Sequence, residues 1–342
     1  MAAWAKAAAL RLLRALLTLL AVFTITFAIS RLVPGDPAAL WVGPRPRPEE
    51  VERARQFLNL DKPLPEQYLL YLLGLFRGDL GLSIRTHNPV LQDISSVLPA
   101  TLELVVAAFA LSSLLGALLG VAAAARYRRP ADASIRLLST VTASLPAFFT
   151  GIALQLLVVG TGLPLPIAGR LSPEASVLSP ITPLTGLYTL DALLEGNLPG
   201  FRDALMHLLL PALALSAYPF GLTARMVRTM MVEVLEELHT KALTAWGLPR
   251  RLVLYKYALR NALSPALASL ALSFSYTLTG AFLVEVIFAW PGLGSYMALS
   301  ILSLDYPATL GSTVVVASFY IAANFLVDLA QAYLDPRLRA SA

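Results

Sequence analysis

Cysteine is absent from this 342-residue chain, which excludes disulfides, thiolate metal sites and cysteine nucleophiles. Charge is scarce as well: Asp, Glu, Lys and Arg make up 14% of the residues, against about a quarter in a soluble globular domain. No Gly-x4-Gly-Lys-Ser/Thr stretch occurs, so the chain lacks the usual phosphate-cradling loop and would need a separate ATPase to use ATP. His87, His207 and His239 lie far apart and none belongs to HExxH, so no metal site is expected. No paired Asp, His or Ser constellation at helical spacing points to a membrane-embedded enzyme. The formal charge of +5 could suit nucleic acid, but the basic residues cluster at the ends of apolar runs, as orientation signals do, and no recognition module is legible.

What the chain has in abundance is apolar sequence. Hydrophobic residues make up 57% of it and the mean hydropathy is +0.69, outside the range of a soluble domain. The expected fold is an all-α polytopic membrane protein with six transmembrane helices. An uncleaved first span follows Lys6, Arg11 and Arg14 and has its apolar core at 15–30. Spans two to six are expected at 99–125, 137–160, 204–224, 263–288 and 309–329, with bends at Pro146, Pro211 and Pro219. Segments placed inside carry sixteen Lys and Arg, whereas the two shorter outside loops carry only Arg170 and Arg202. That asymmetry orients the chain in the plasma (inner) membrane with both termini cytoplasmic.

The long external loop after the first span, 31–98, balances eight basic against eight acidic residues and shows two short amphipathic helices, at 49–58 and 65–76. With so few core residues it should lean on the membrane part. The Pro- and Gly-rich segment 161–203 reads as a second external loop holding a short helix at 189–195, and 289–307 as an external turn. The domain division expected is 1–97 for the first span plus external region, 98–330 for the transmembrane domain, and 331–342 for a cytoplasmic tail.

Between the fourth and fifth spans lies a basic, polar island, 225–265. Leu235, Leu238, Ala242 and Ala245 fall on one face of a short amphipathic helix while Glu236, Glu237 and His239 lie elsewhere. Gly247 suits the left-handed position that ends such a helix, and Pro249 the first turn of the next. The hairpin 225–262 must therefore sit at the cytoplasmic surface, and Leu235, Leu238 and Trp246 need a partner for their apolar surface. Glu103, Glu285 and Asp328 lie in or beside spans, where an ionised carboxylate is costly unless it faces protein or water. Glu103 and Glu285 are expected at exposed interfacial positions, with a role in the translocation path as the alternative; Asp328 is expected to pair with Arg337 or Arg339. His207 reads as a membrane-edge residue hydrogen-bonded to its neighbours.

The island resembles the cytoplasmic loop motif of ABC importer permeases: Lys241-Ala242-Leu243, three residues ending in Trp246, Gly247, then LPRRLVLYKYALRNALSP, whose ending looks like the dipeptide and oligopeptide branch. Lys241 replaces the glutamate usual at the start, and Arg260 the terminal proline. Supporting pieces span most of the chain: RLVPGDPA at 31–38, LDKPLPEQY at 60–68, RGDLGLS at 77–83, LPATLEL at 98–104, HLLLPALAL at 207–215, EVIFAWPGLG at 285–294 and LVDLAQAYLDPRLR at 326–339. The resemblance implies a type I importer permease fold and a membrane-embedded subunit that does no covalent chemistry. Its implied partners are a second homologous permease, two ATPase subunits that hold ATP and Mg, an external solute-binding protein and membrane lipid. The chain itself would bind no cofactor.

It further implies that the hairpin, through Leu235, Glu236, Leu238, Lys241, Ala242, Leu243, Trp246 and Gly247, is the coupling element that docks on an ATPase. Trp290, Pro291 and Gly292 would belong to an external gate region. Di- or oligopeptides are the implied cargo. The branch also includes importers of oligosaccharides and nickel, and no metal-ligand cluster favours nickel. A rival from another class, an ion-coupled secondary transporter working through Glu103, Glu285 or Asp328, would not need the docking hairpin.

Overall fold

A computed structural model describes the backbone of residues 2–32 and 35–334, and the side chains within those ranges except at 2–12, 263–272, 275 and 326–334. The expected pairing of Asp328 with Arg337 or Arg339 lies outside the described residues, as does the tail from 335 on. In chain order the helices are α1 (Ala2–Leu32), α2 (Pro37–Val42), α3 (Pro48–Phe57), α4 (Leu64–Phe76), α5 (Val90–Ala125), α6 (Pro130–Ser144), α7 (Ala147–Thr161) and α8 (Pro173–Leu178). They continue with α9 (Tyr188–Leu194), α10 (Leu198–Glu236), α11 (Leu238–Ala245), α12 (Arg250–Leu252), a π-helical stretch (Val253–Ala258), α13 (Leu259–Ile287), α14 (Leu293–Leu302) and α15 (Tyr306–Leu334). Among the described residues no β-strand is present beyond one isolated bridge, Leu82 to Pro89.

Among the described residues, four helices or helix portions are each long and apolar enough to cross a bilayer: Leu13–Leu32, Val90–Ala125, Leu198–Glu236 and Tyr306–Phe325. On α1, Phe23 and Phe27 are buried while Leu16, Leu17, Leu20, Ile25 and Ile29 face outward, an apolar surface suited to lipid. Three expectations about these helices change. The second begins at Val90 rather than at Pro99, which it accommodates in its interior. The fourth extends beyond the 204–224 expected, as one helix from Leu198 to Glu236 with Pro211 and Pro219 in its interior, where neighbouring helices can cover the backbone groups that proline frees. The third is broken sharply at the expected Pro146: α6 and α7 diverge by 109°. Pro146 disfavours helical backbone at Leu145, which adopts ψ 128°, so the helix stops there and restarts.

The chain divides into two compact units, 1–99 with 292–321, and 100–291 with 322–342. In the first, α4 does lean on membrane-type helices: Tyr68, Tyr71, Leu72 and Leu75 pack on Phe23, Phe27, Leu310 and Val314. Short polar links secure the irregular stretches of this unit. Asp36 caps α2 by accepting from the Ala38 N–H at 3.1 Å. Asp305 accepts from the Ser83 hydroxyl and from the Arg85 and Ala308 N–H groups, both at 3.1 Å. Asp93 accepts from Thr86, from Asn88 at 3.1 Å and from the Tyr296 hydroxyl at 3.1 Å. Burial and the Asp93 and Asp305 carboxylates push that hydroxyl well above the ordinary tyrosine range. Tyr296 lies on α14, a helix inside the segment that reads as a turn in sequence.

In the second unit α10 is central, packing against α13, α6 and α7. A small-residue pair lets α5 approach it closely: a Cβ at Gly116 would lie 2.8 Å from Thr223 Cβ, and one at Gly120 2.8 Å from the Ala224 carbonyl oxygen. The main core gathers Leu104, Val105, Leu208, Leu215, Val284 and Phe288 among others. A second cluster joins the ends of α5 and α10 to the π-helical stretch through Val121, Val227, Met231, Val234, Leu254 and Ala258.

Candidate functional site

The hairpin is built as an outward projection on that second cluster. Helix α10 ends at Glu236, and Glu237 takes extended backbone, φ −66° and ψ 147°, before α11 begins. Helix α11 closes with a Schellman arrangement: the Leu248 N–H donates to the Leu243 carbonyl at 3.2 Å and the Gly247 N–H to the Thr244 carbonyl at 3.0 Å. Gly247 has φ +81°, the left-handed conformation that a Cβ disfavours, and open space where a Cβ would stand. The return limb is held at its base, where the Arg250 guanidinium donates to the Ala125 carbonyl at 2.6 Å, satisfying the C-terminal end of α5.

The structure separates the hairpin residues into two groups. Leu238 is 85% exposed and Trp246 77% exposed, and Glu236, Lys241 and Gly247 are exposed with them. Ala242 and Leu243 are half-buried. Leu235 does not share a face with Leu238; it belongs to α10 and packs on the Met231 and Leu254 cluster, so part of its apolar surface is covered inside the chain. The break at Glu237 turns α11 out of register with α10, which removes the continuous helical periodicity expected across 235–245. Thr240, unremarked in sequence, is the buried residue of α11.

At the other end of α5 the structure brings Glu103, Glu285 and Trp290 into one buried layer. Neither carboxylate is exposed, contrary to the interfacial placement expected of them: Glu103 is 7% exposed and Glu285 fully buried. Burial is tolerable because both carboxylates have partners. Glu103 forms an ion pair with Arg170 and accepts from the Thr189 N–H at 2.8 Å and hydroxyl at 2.7 Å. Glu285 accepts from the Thr101 hydroxyl at 2.6 Å. The indole N–H of Trp290 donates to the Ala100 carbonyl at 2.9 Å. Arg170 completes the layer: its guanidinium lies 3.7 Å from the Tyr188 ring centre and 5.4 Å from that of Trp290, and it donates to the Gly186 carbonyl at 2.9 Å. Pro291 is exposed, and Gly292 is the N-cap of α14.

Sequence reasoning treated Arg170 only as a sparse loop charge. Its rarity in an almost cation-free loop was the signal available. Arg228, counted among the orientation charges, is in fact bound bidentately by Asp132 through its Nε and, at 2.8 Å, its Nη2. His207 keeps the neighbourly bonding expected of it, with Nδ1 2.9 Å from the Asp203 carbonyl oxygen.

Several long apolar helices with their leucines turned outward make this an integral membrane protein that crosses the bilayer more than once. The chain belongs to the family of binding-protein-dependent transport system inner membrane components, which matches residues 116–340. The companion family of N-terminal regions of such membrane components matches residues 6–105. It is similar to the probable D,D-dipeptide transport system permease protein DdpB of Escherichia coli (strain K12), 44% identical over 317 residues, 93% of this chain and 92% of the relative. The di/tripeptide transport system permease protein DppB of Pseudomonas aeruginosa (strain UCBPP-PA14) is 39% identical over 94% of this chain and 95% of its own length. The dipeptide transport system permease protein DppB of Escherichia coli (strain K12) is 36% identical over 94% and 95%. The chain is thus a membrane-spanning permease subunit of an ABC importer, with a transport role in the inner membrane.

Proposed function

We propose that this subunit forms half of a translocation path for dipeptides and short oligopeptides, delivered by an external binding protein and driven by separate ATPases. The observation that carries the ATP coupling is the projection of Leu238 and Trp246 on a short helix locked by Gly247. Two large apolar side chains held in water beside Lys241 and Glu236 favour a protein partner. The hairpin's base shares a core with the ends of α5 and α10, so a push on the hairpin reaches two long helices. ATP closure of an ATPase pair would thereby shift the path between inward- and outward-facing states. The peptide cargo comes to this chain from the named relatives. Two such permeases, two ATPases and one binding protein make the working assembly, with ATP and Mg held by the ATPases.

The purified chain should hydrolyse no ATP, and dipeptide uptake by vesicles carrying all subunits should stop when the partner ATPase's catalytic glutamate is replaced. Uptake that survives that replacement and collapses with a protonophore would sink the reading in favour of an ion-coupled carrier.

Six spans with both termini cytoplasmic complete the proposal; the sixteen-to-two distribution of basic residues supports that orientation. Because the chain has no cysteine, single cysteines report sidedness cleanly. Glu66, in the region placed outside, and Arg129, in a segment placed inside, are both exposed and are the positions to use. An impermeant maleimide applied to intact cells should label Glu66→Cys and spare Arg129→Cys; the opposite pattern inverts the topology.

A further inference from the structure

A cleft of about 750 Å³ opens where the loop after α7 meets the first turns of α10. Its volume lies in the range of small-molecule sites, roughly 300–1,000 Å³. The walls include Pro164, Pro173 and Pro199, rigid apolar surface without N–H groups; the polar residues lining it are Ser172 before α8 and Arg202, Asp203 and His207 of α10. His207 is 94% buried, with 6% of its surface exposed. Its Nδ1 faces the Asp203 carbonyl oxygen at 2.9 Å, which can only accept, so Nδ1 carries the proton. In the neutral ring Nε2 is then an acceptor, and it has no hydrogen-bond partner among the described residues. The Asp203 carboxylate is held in place by the Ser172 N–H at 2.8 Å and stands 3.4 Å from His207. Arg202, one residue away, is exposed and offers donors only.

The cleft therefore presents a fixed acceptor end, His207 with Asp203, and a cationic donor end, Arg202, across an apolar floor. We propose that it is a binding site for a short zwitterion, the termini of a dipeptide: ammonium on His207 Nε2 and Asp203, carboxylate on the Arg202 fork. His207 is five helical steps beyond Arg202, about 7.5 Å of rise, and two extended residues span at most about 7 Å. This rests on the peptide reading and on the external placement of the loop. It adds to them a station on this chain where cargo is held by its two ends, whatever its side chains.

The test measures binding of radiolabelled L-alanyl-L-alanine to the full chain in lipid nanodiscs, with N-acetyl-alanyl-alanine and alanyl-alanine amide as competitors. The wild-type chain should prefer the unblocked dipeptide to both. Arg202→Gln should weaken dialanine by about tenfold or more, the worth of a charge-assisted bond, and erase the preference for the free carboxylate over the amide. His207→Gln should erase the preference for the free amine. Since His207 is buried and its replacement could disturb folding, the exposed Arg202 position decides the matter. Unchanged discrimination between acid and amide in Arg202→Gln, or no dialanine binding by the wild-type chain, overturns the proposal. A complete assembly that imports no dialanine overturns the peptide reading along with it, whereas one that imports dialanine beside an indifferent Arg202→Gln overturns this inference alone.

Discussion

Gly247→Val is expected to uncouple transport while leaving the membrane part intact. Gly247 sits at φ +81° with nothing within 4 Å of a Cβ position, so the penalty comes from backbone conformation and not from a clash. A β-branched residue there carries about 1–3 kcal/mol of strain, enough to depopulate the Schellman turn by roughly 5- to 150-fold. Leu238 and Trp246 are presented by that turn. The variant should insert and pair with its partner permease yet lose ATPase docking and substrate-stimulated hydrolysis. Gly247→Asn, which tolerates the left-handed region, should retain much of both. Ala242→Trp should also fail, because its half-buried position has little room for an indole. Lys241→Ala should matter little, since that side chain points into solvent. If Gly247→Val and Ala242→Trp recover the full complex and import at wild-type rates, the hairpin is not the coupling element.

Breaking the Glu103 and Arg170 pair should have the largest effect on stability. Both side chains are almost fully buried, and removing one partner leaves the other charge stranded, a loss of about 3–5 kcal/mol. Glu103→Leu strands the Arg170 guanidinium against Tyr188 and Trp290 and releases Thr189, so the loop between α7 and α10 should become sensitive to protease. Arg170→Leu should do the same from the other side. The double replacement should melt higher than either single one, because an apolar pair carries no unpaid desolvation. Thermal melting of the detergent-solubilised chain with limited proteolysis of 162–197 checks this. Single variants that melt with the wild type, or a double variant worse than both, would show that the pair does not anchor the loop.

The residues that were legible in the sequence are those whose behaviour is local. Gly247 ends α11 because a left-handed position next to a Schellman turn needs no distant partner, and a Gly before Leu-Pro announces it. The helices at 49–58, 65–76 and 189–195 fall within a residue or so of α3, α4 and α9, since caps and amphipathic spacing act over one or two turns. Periodicity failed at Leu235 for an equally local reason that sequence does not display: one extended residue, Glu237, breaks the helix and rotates Leu235 away from Leu238. Helix α14 was hidden because its Gly- and Ser-containing sequence weakens the helical signal that packing of Leu293 and Tyr296 restores.

Composition and run length by themselves determined a polytopic helical membrane protein, because water, lipid and backbone hydrogen bonding leave a long apolar run few alternatives; the family resemblance rested on the ordered motifs from RLVPGDPA to LVDLAQAYLDPRLR. Only the tertiary structure decided which charges are paired. Glu103 and Arg170 are 67 residues apart and Thr101 and Glu285 are 184 apart. Nothing local records those meetings: a buried carboxylate is stable only where the folded chain delivers its donors, and many placements of the helices fit the same apolar runs.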